Sequence, residues 1–146
     1  MNVSKAPHRV IAAAVVIDTR GHLLLQLRDD KPDIIYPGRI GLFGGHREGS
    51  ESALECVVRE LGEELSYDIA PDRFEYLVSR EGGDTEVRGG TFRGDFFLVR
   101  DIPIEKLVVT EGTLVAVAPA DLAKIDHKLT PTARLALDAF FAMKSV

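Results

Sequence analysis

The chain has a single cysteine, Cys56, among 146 residues. No internal disulfide can staple it, and a reducing cytoplasm is the expected compartment. It also lacks a positive excess: 18 Lys and Arg against 23 Asp and Glu leave a net charge of −5. That balance argues against a binder of nucleic-acid polymers or acidic membranes. Long apolar runs are missing too. Val10–Ile17 follows Lys5, His8 and Arg9 in the manner of a signal peptide, but it falls well short of the roughly 20 residues that a membrane span needs. Asp18-Thr19-Arg20-Gly21 then turns toward a second apolar run, with no small-residue cleavage site. No internal repeat, low-complexity tract or linker divides the sequence, which reads as one domain, residues 1–146, with its own core.

What is present is the composition of an ordinary globular domain, 45% hydrophobic and 28% charged. Val10–Asp18 and His22–Arg28 read as paired strands across an Arg20-Gly21 turn. Asp29–Arg39, with Pro32, Pro37 and Gly38, is a loop long enough to be functional. Ile40–Phe43 reads as a short strand running into Gly44-Gly45. Phe74–Arg80 and Thr91–Val99 read as strands on either side of the Gly-rich stretch Glu81–Gly90, and Leu114–Ala118 as another. Pro119–Leu122 starts a brief helix, and Thr130-Pro131 opens a terminal one with Ala133, Leu137, Phe140 and Phe141 inward. Strands and helices alternate without a regular βαβ repeat, which predicts an α/β fold with a mixed β-sheet packed between helices.

The most informative segment carries Leu54, Val57, Val58, Leu61 and Leu65 at helical spacing. Ser50 or Ser52 caps this helix, and Ser52 with Glu55 has capping-box spacing. Glu60, Glu63 and Glu64 fall at i, i+3 and i+4, in an arc on the other side from the apolar stripe. Carboxylates so placed repel by a few tenths of a kcal/mol per pair. They also crowd the helix end where the macrodipole is already negative. Three clustered acids are ordinarily a solvated helix face. A hard divalent cation bound by several carboxylate oxygens would compensate both costs.

Gly45, five residues, Glu51, seven residues, Arg59-Glu60-Leu61, one residue and Glu63-Glu64 together resemble the signature of the Nudix hydrolases, the MutT-like superfamily. Two positions depart from it. Ser66 stands where the family usually has Gly, and Tyr67 where it has an aliphatic residue; neither departure removes a ligand. The resemblance implies an α/β/α sandwich and Mg²⁺- or Mn²⁺-dependent hydrolysis of a diphosphate linkage. The substrate it implies is a small-molecule nucleoside diphosphate derivative, such as a nucleotide sugar, an ADP-ribose-like compound or a modified nucleoside triphosphate.

By the same resemblance Glu60, Glu63, Glu64 and the backbone carbonyl of Gly45 hold the metal, and Glu60 is the first choice for general base. Arg59 orients the acids by pairing with Glu51. Glu111 matches a position where some relatives supply a further ligand or base, and an ordinary turn residue before the next strand is the equal alternative. Outside the signature, Arg28, Arg39 and Arg93 meet phosphates if they face the cleft. Tyr36 and Phe43 could stack a base, although core packing or a loop anchor is the favoured reading of each. His8, His22, His46 and His127 show no zinc-ligand spacing, and of these only His46 adjoins the signature. Cys56 sits mid-helix with no neighbouring His and is not expected to be a nucleophile. A nucleotide sensor that does not cleave and a diphosphate isomerase are the competing activities on this fold. Many members of the superfamily are homodimers, and no interface is legible in the sequence.

Overall fold

The Ala- and Val-rich run near the start becomes a central strand, β1 (His8–Asp18), with side chains packed on both faces. The computed structural model describes residues 8–30 and 38–144. Because strand side chains alternate, Ile11, Ala13, Val15 and Ile17 enter one apolar layer while Ala12, Ala14 and Val16 enter another. Helix α1 (Ala53–Leu65) closes the second layer with Cys56, Val57, Leu61 and Leu65. Helix α2 (Pro131–Lys144) closes the first with Ala133, Leu137 and Phe140. Each fully buried Leu or Phe contributes roughly 1.5–3 kcal/mol, so the two layers hold the expected α/β/α sandwich together.

The remaining strands are β2 (Leu23–Leu27), β3 (Ile40–Gly41), β4 (Phe43–His46), β5 (Glu75–Gly83), β6 (Thr91–Ile102) and β7 (Thr113–Val117). The sheet is mixed. β1 runs parallel to β6 and antiparallel to β2 and β4, and β5 pairs antiparallel with β6. β1 meets β2 only at Val16↔Leu24 and Ile17↔Leu23 before the two strands diverge. The chain from Ile40 to His46 fills the wedge: β3 adds to β2, and β4 adds to β1.

This wedge corrects one expectation. Ile40–Phe43 is not a single strand, because the chain changes partner at Leu42 and the second strand carries Gly44-Gly45. The hairpin arm expected to stop at Arg80 continues to Gly83. The brief helix at Pro119 is a 3₁₀ turn, Pro119–Lys124. Tyr36 and the middle of its loop lie outside the described residues. Among the described residues, no helix is long and apolar enough to cross a membrane.

Candidate active site

Helix α1 starts at a complete capping box. Ser52 Oγ accepts from the Glu55 N–H at 3.1 Å, and Glu55 Oε1 accepts from the Ser52 N–H at 2.8 Å. Such a cap contributes about 1 kcal/mol. The helix ends at Ser66, which takes the left-handed conformation (φ 51°, ψ 42°) where Gly would be unstrained; a non-glycine residue pays roughly 1–2 kcal/mol there. The last turn has no basic residue. Its carbonyls are satisfied by the segment before β7 instead: Val108 N–H donates to Leu65 O and Thr110 N–H to Glu64 O, each at 3.0 Å. That clamp sets Glu111 in the same cleft as Glu64.

Two glycines of β4 receive two glutamates of α1. Gly44 and Gly45 lie opposite Ala13 and Ala12 in the β1–β4 register. Gly44 has φ 152°, and a Cβ there would lie 2.5 Å from Ala13 Cα and against the Ala12 carbonyl. A Cβ on Gly45 would meet the Glu60 carboxylate, 2.6 Å from both oxygens. The glycine therefore leaves the space that Glu60 fills. Gly44 N–H donates to Glu64 Oε1 at 2.9 Å, and Gly45 O accepts from Cys56 Sγ at 3.6 Å. Glu64 is thus turned inward, 7% exposed, and does not share the arc opposite the apolar stripe. Its partner Gly44 has no side chain, and this lets a carboxylate take an inner position.

Arg59 organises the outer side. It grips Glu51 with Nε (3.0 Å) and Nη2 (2.7 Å), and Glu60 Oε1 with Nη1 at 2.9 Å. Nη2 also donates to His46 O at 3.1 Å, and Glu63 Oε2 lies 3.6 Å from Nη1. The guanidinium holds the Glu51 carboxyl down to about 2, and Glu51 in turn raises Arg59 above its usual range. Glu64 goes the other way. Burial, then the charges of Glu60, Glu111 and Glu63, push it up to about 8 against the lowering effect of the Gly44 N–H. Burial also pushes the Cys56 thiol up to about 12, which removes it as a nucleophile near neutral pH. Glu63 is 64% exposed. Among the described residues, no three His, Cys, Asp or Glu side chains already converge closely enough to hold a metal ion.

A cleft of about 550 Å³ opens beside these groups, and Gly45, Glu64, Glu111, Arg28 and His46 line it. Three candidate substrate contacts are elsewhere. Phe43 is fully buried among the apolar side chains beneath α1, so it is a packing residue and not a base platform. Arg39 turns away from the cleft, donating to the carbonyls of Lys128 (2.9 Å) and Leu129 (2.7 Å). Arg93 pairs with Glu81 and Asp95 and does not line the cleft. Sequence reasoning missed Arg9, Glu86 and Gln26, all of which line it. Gln26 was findable: it is the only amide in the apolar strand Leu23–Leu27, 9% exposed, and its Nε2 donates to Glu111 O at 3.0 Å.

Comparison with known proteins agrees with this geometry. The family model of the NUDIX domain matches residues 7–138. Nudix hydrolase 3 of Arabidopsis thaliana is 30% identical over 118 residues, 75% of this chain; the chain spans only 15% of that protein's length. The solution structure of the Escherichia coli ORF135 protein is similar with a TM-score of 0.73 and 25% identity, covering 99% of this chain and 96% of that one. A MutT Nudix hydrolase from Burkholderia pseudomallei gives a TM-score of 0.72 and 25% identity, over 91% and 98% of the two chains. With the Gly45-to-Glu64 constellation folded as described, the chain belongs to the Nudix family.

Proposed function

We propose that the chain is a Mg²⁺- or Mn²⁺-dependent hydrolase that cleaves a diphosphate linkage in a nucleoside diphosphate derivative. One observation carries the reading: Glu60 and Glu64, four residues apart on α1, are held over the adjacent glycines Gly45 and Gly44. The donor set fits a hard divalent cation. The Glu64 carboxyl is buried beside like charges that raise its pKa, a balance that a cation would relieve. Glu60, Glu64 and the Gly45 carbonyl would hold the metal, with the exposed Glu63 as the outermost ligand and Glu111 as a further one. Such an ion neutralises phosphate oxygens and acidifies a bound water.

The chain's own groups supply the rest. Arg59 Nη1 fixes Glu60 through Oε1, leaving Glu60 Oε2 to accept the proton of the attacking water. Glu51, locked to Arg59, keeps that guanidinium from swinging away. Arg28 lines the cleft, where its guanidinium suits a substrate phosphate. The substrate is a small molecule, in keeping with the net charge of −5 and a cleft of about 550 Å³, and the proposed compartment is the cytoplasm.

The test is a panel of nucleotide sugars, ADP-ribose and modified nucleoside triphosphates incubated with Mg²⁺, with products identified by mass spectrometry. Cleavage between phosphates is expected for at least one member. Tight binding without turnover would instead identify a sensor, and rearrangement without loss of a phosphate group an isomerase.

A further inference from the structure

The cleft contains a second charged group that takes no part in the glutamate constellation. Arg9, at the start of β1, grips Asp84 with Nε (2.5 Å) and Nη2 (2.8 Å). The Asp84 side chain is fully buried and accepts from the N–H groups of Glu86 (2.9 Å) and Val87 (3.3 Å). Its own N–H donates to Gly90 O at 2.8 Å. The Arg9–Asp84 pair therefore ties the turn between β5 and β6 down onto the cleft. That turn delivers Glu86, whose carboxylate is 5% exposed and spans two guanidinium groups. One oxygen lies 3.2 Å from Arg9 Nη1 and the other 3.7 Å from Arg28 Nη2.

Asp84 already neutralises Arg9 and already fixes the turn, so Glu86 is required for neither. Its contacts are longer than those of Asp84, and all three of Arg9, Arg28 and Glu86 line the cleft. A carboxylate shared by two guanidinium forks occupies the place that a phosphate would take, since both anions offer paired oxygens to the same donors. Burying charge is costly unless it is paired, and the Glu86 carboxylate, 5% exposed, finds its pairing in the two arginines while the cleft holds no anion.

We propose that Arg9 and Arg28 form an anion subsite for a phosphate group of the substrate, and that Glu86 is an internal anion occupying it until that phosphate displaces it. Glu86 thereby sets a threshold: a ligand gains the subsite only if its anion pairs with both arginines better than one carboxylate does. The inference deepens the proposed function by assigning a phosphate subsite, but its test needs neither metal nor turnover.

Inorganic pyrophosphate is titrated calorimetrically into the full chain in EDTA, comparing wild type with Glu86→Gln and Arg28→Gln. Glu86→Gln is expected to bind at least fivefold more tightly, and Arg28→Gln at least fivefold more weakly. Equal or weaker binding by Glu86→Gln, or no binding by wild type and variant alike, overturns the proposal. Should Glu86→Gln melt several degrees low, Glu86→Asp is read instead. It withdraws the carboxylate from both arginines while keeping the charge, so tighter binding supports the proposal and unchanged binding overturns it. Failure of the hydrolysis panel would leave this result standing, and unaltered pyrophosphate affinity would leave the hydrolysis result standing.

Discussion

The amide of Gly44 donates to Glu64 Oε1 at 2.9 Å, fixing a carboxyl that is 7% exposed beside three other acids. Its pKa is raised from 4.5 to about 8, first by burial. Between those values the folded, metal-free chain holds a proton that the unfolded chain has released. This contribution to stability is complete below about pH 4.5 and is lost as the pH climbs through about 8. Thermal melts in EDTA should show the wild type losing ground to Glu64→Gln across that window. Parallel pH profiles for the two proteins would refute the burial of an uncompensated acid.

The same linkage predicts that metal binding expels a proton. Near pH 7 the metal-free Glu64 is largely protonated, and a ligating carboxylate must be ionised. Titrating Mg²⁺ in buffers of different ionisation enthalpy should reveal net proton release. Ligand at a hundred times its dissociation constant stabilises by about 2.7 kcal/mol, on the order of 5–10 °C for a domain of this size. A melting temperature indifferent to Mg²⁺ and EDTA, with no proton release, would mean that Glu64 belongs to no Mg²⁺ site.

Arg59 allows stability and activity to be separated. Its fork holds both Glu51 oxygens and Glu60 Oε1, a geometry that Lys cannot reproduce. Arg59→Lys should raise the Mg²⁺ concentration for half-maximal turnover by about 10- to 100-fold, with a melting temperature within a few degrees of wild type. Glu64→Gln should cut turnover at least about a hundredfold by removing a charge from the proposed metal shell. Glu63→Gln, altering a carboxylate that is 64% exposed, should cost less than either. Steady-state kinetics across Mg²⁺ concentrations distinguishes the three, and equal losses would contradict the ranking.

Much of this was legible in the sequence because it rests on local periodicity. The capping box Ser52/Glu55, the apolar face of α1 and the Pro131 start of α2 follow from spacing alone. The inward turn of Glu64 does not, since it depends on Gly44 arriving from another strand. Which of two readings holds for Phe43, base platform or core packing, and whether Arg39 faces the cleft, depend on the fold in the same way. An aromatic beside two glycines and an arginine in a loop look available until the wedge between β1 and β2 closes over one and two carbonyls capture the other. Arg9 and Glu86 are 77 positions apart in the sequence; only the fold brings them to 3.2 Å.

The adjacent glycines of β4 should fail in opposite ways. Gly44 has φ 152°, and an added Cβ would collide with the backbone of Ala12 and Ala13 in the central strand, which cannot move aside. Gly44→Ala should therefore cost at least about 2 kcal/mol from strain and overpacking together, and lower the melting temperature accordingly. At Gly45 the obstacle is the end of the Glu60 side chain, which can swing away. Gly45→Ala should leave the fold within about 1 kcal/mol of wild type. It should still cut turnover at least about tenfold, because Glu60 loses the pocket that aims it. Chemical denaturation and initial rates on the same preparations test both halves. If Gly45→Ala keeps full activity, Glu60 is not held in place by that glycine for catalysis.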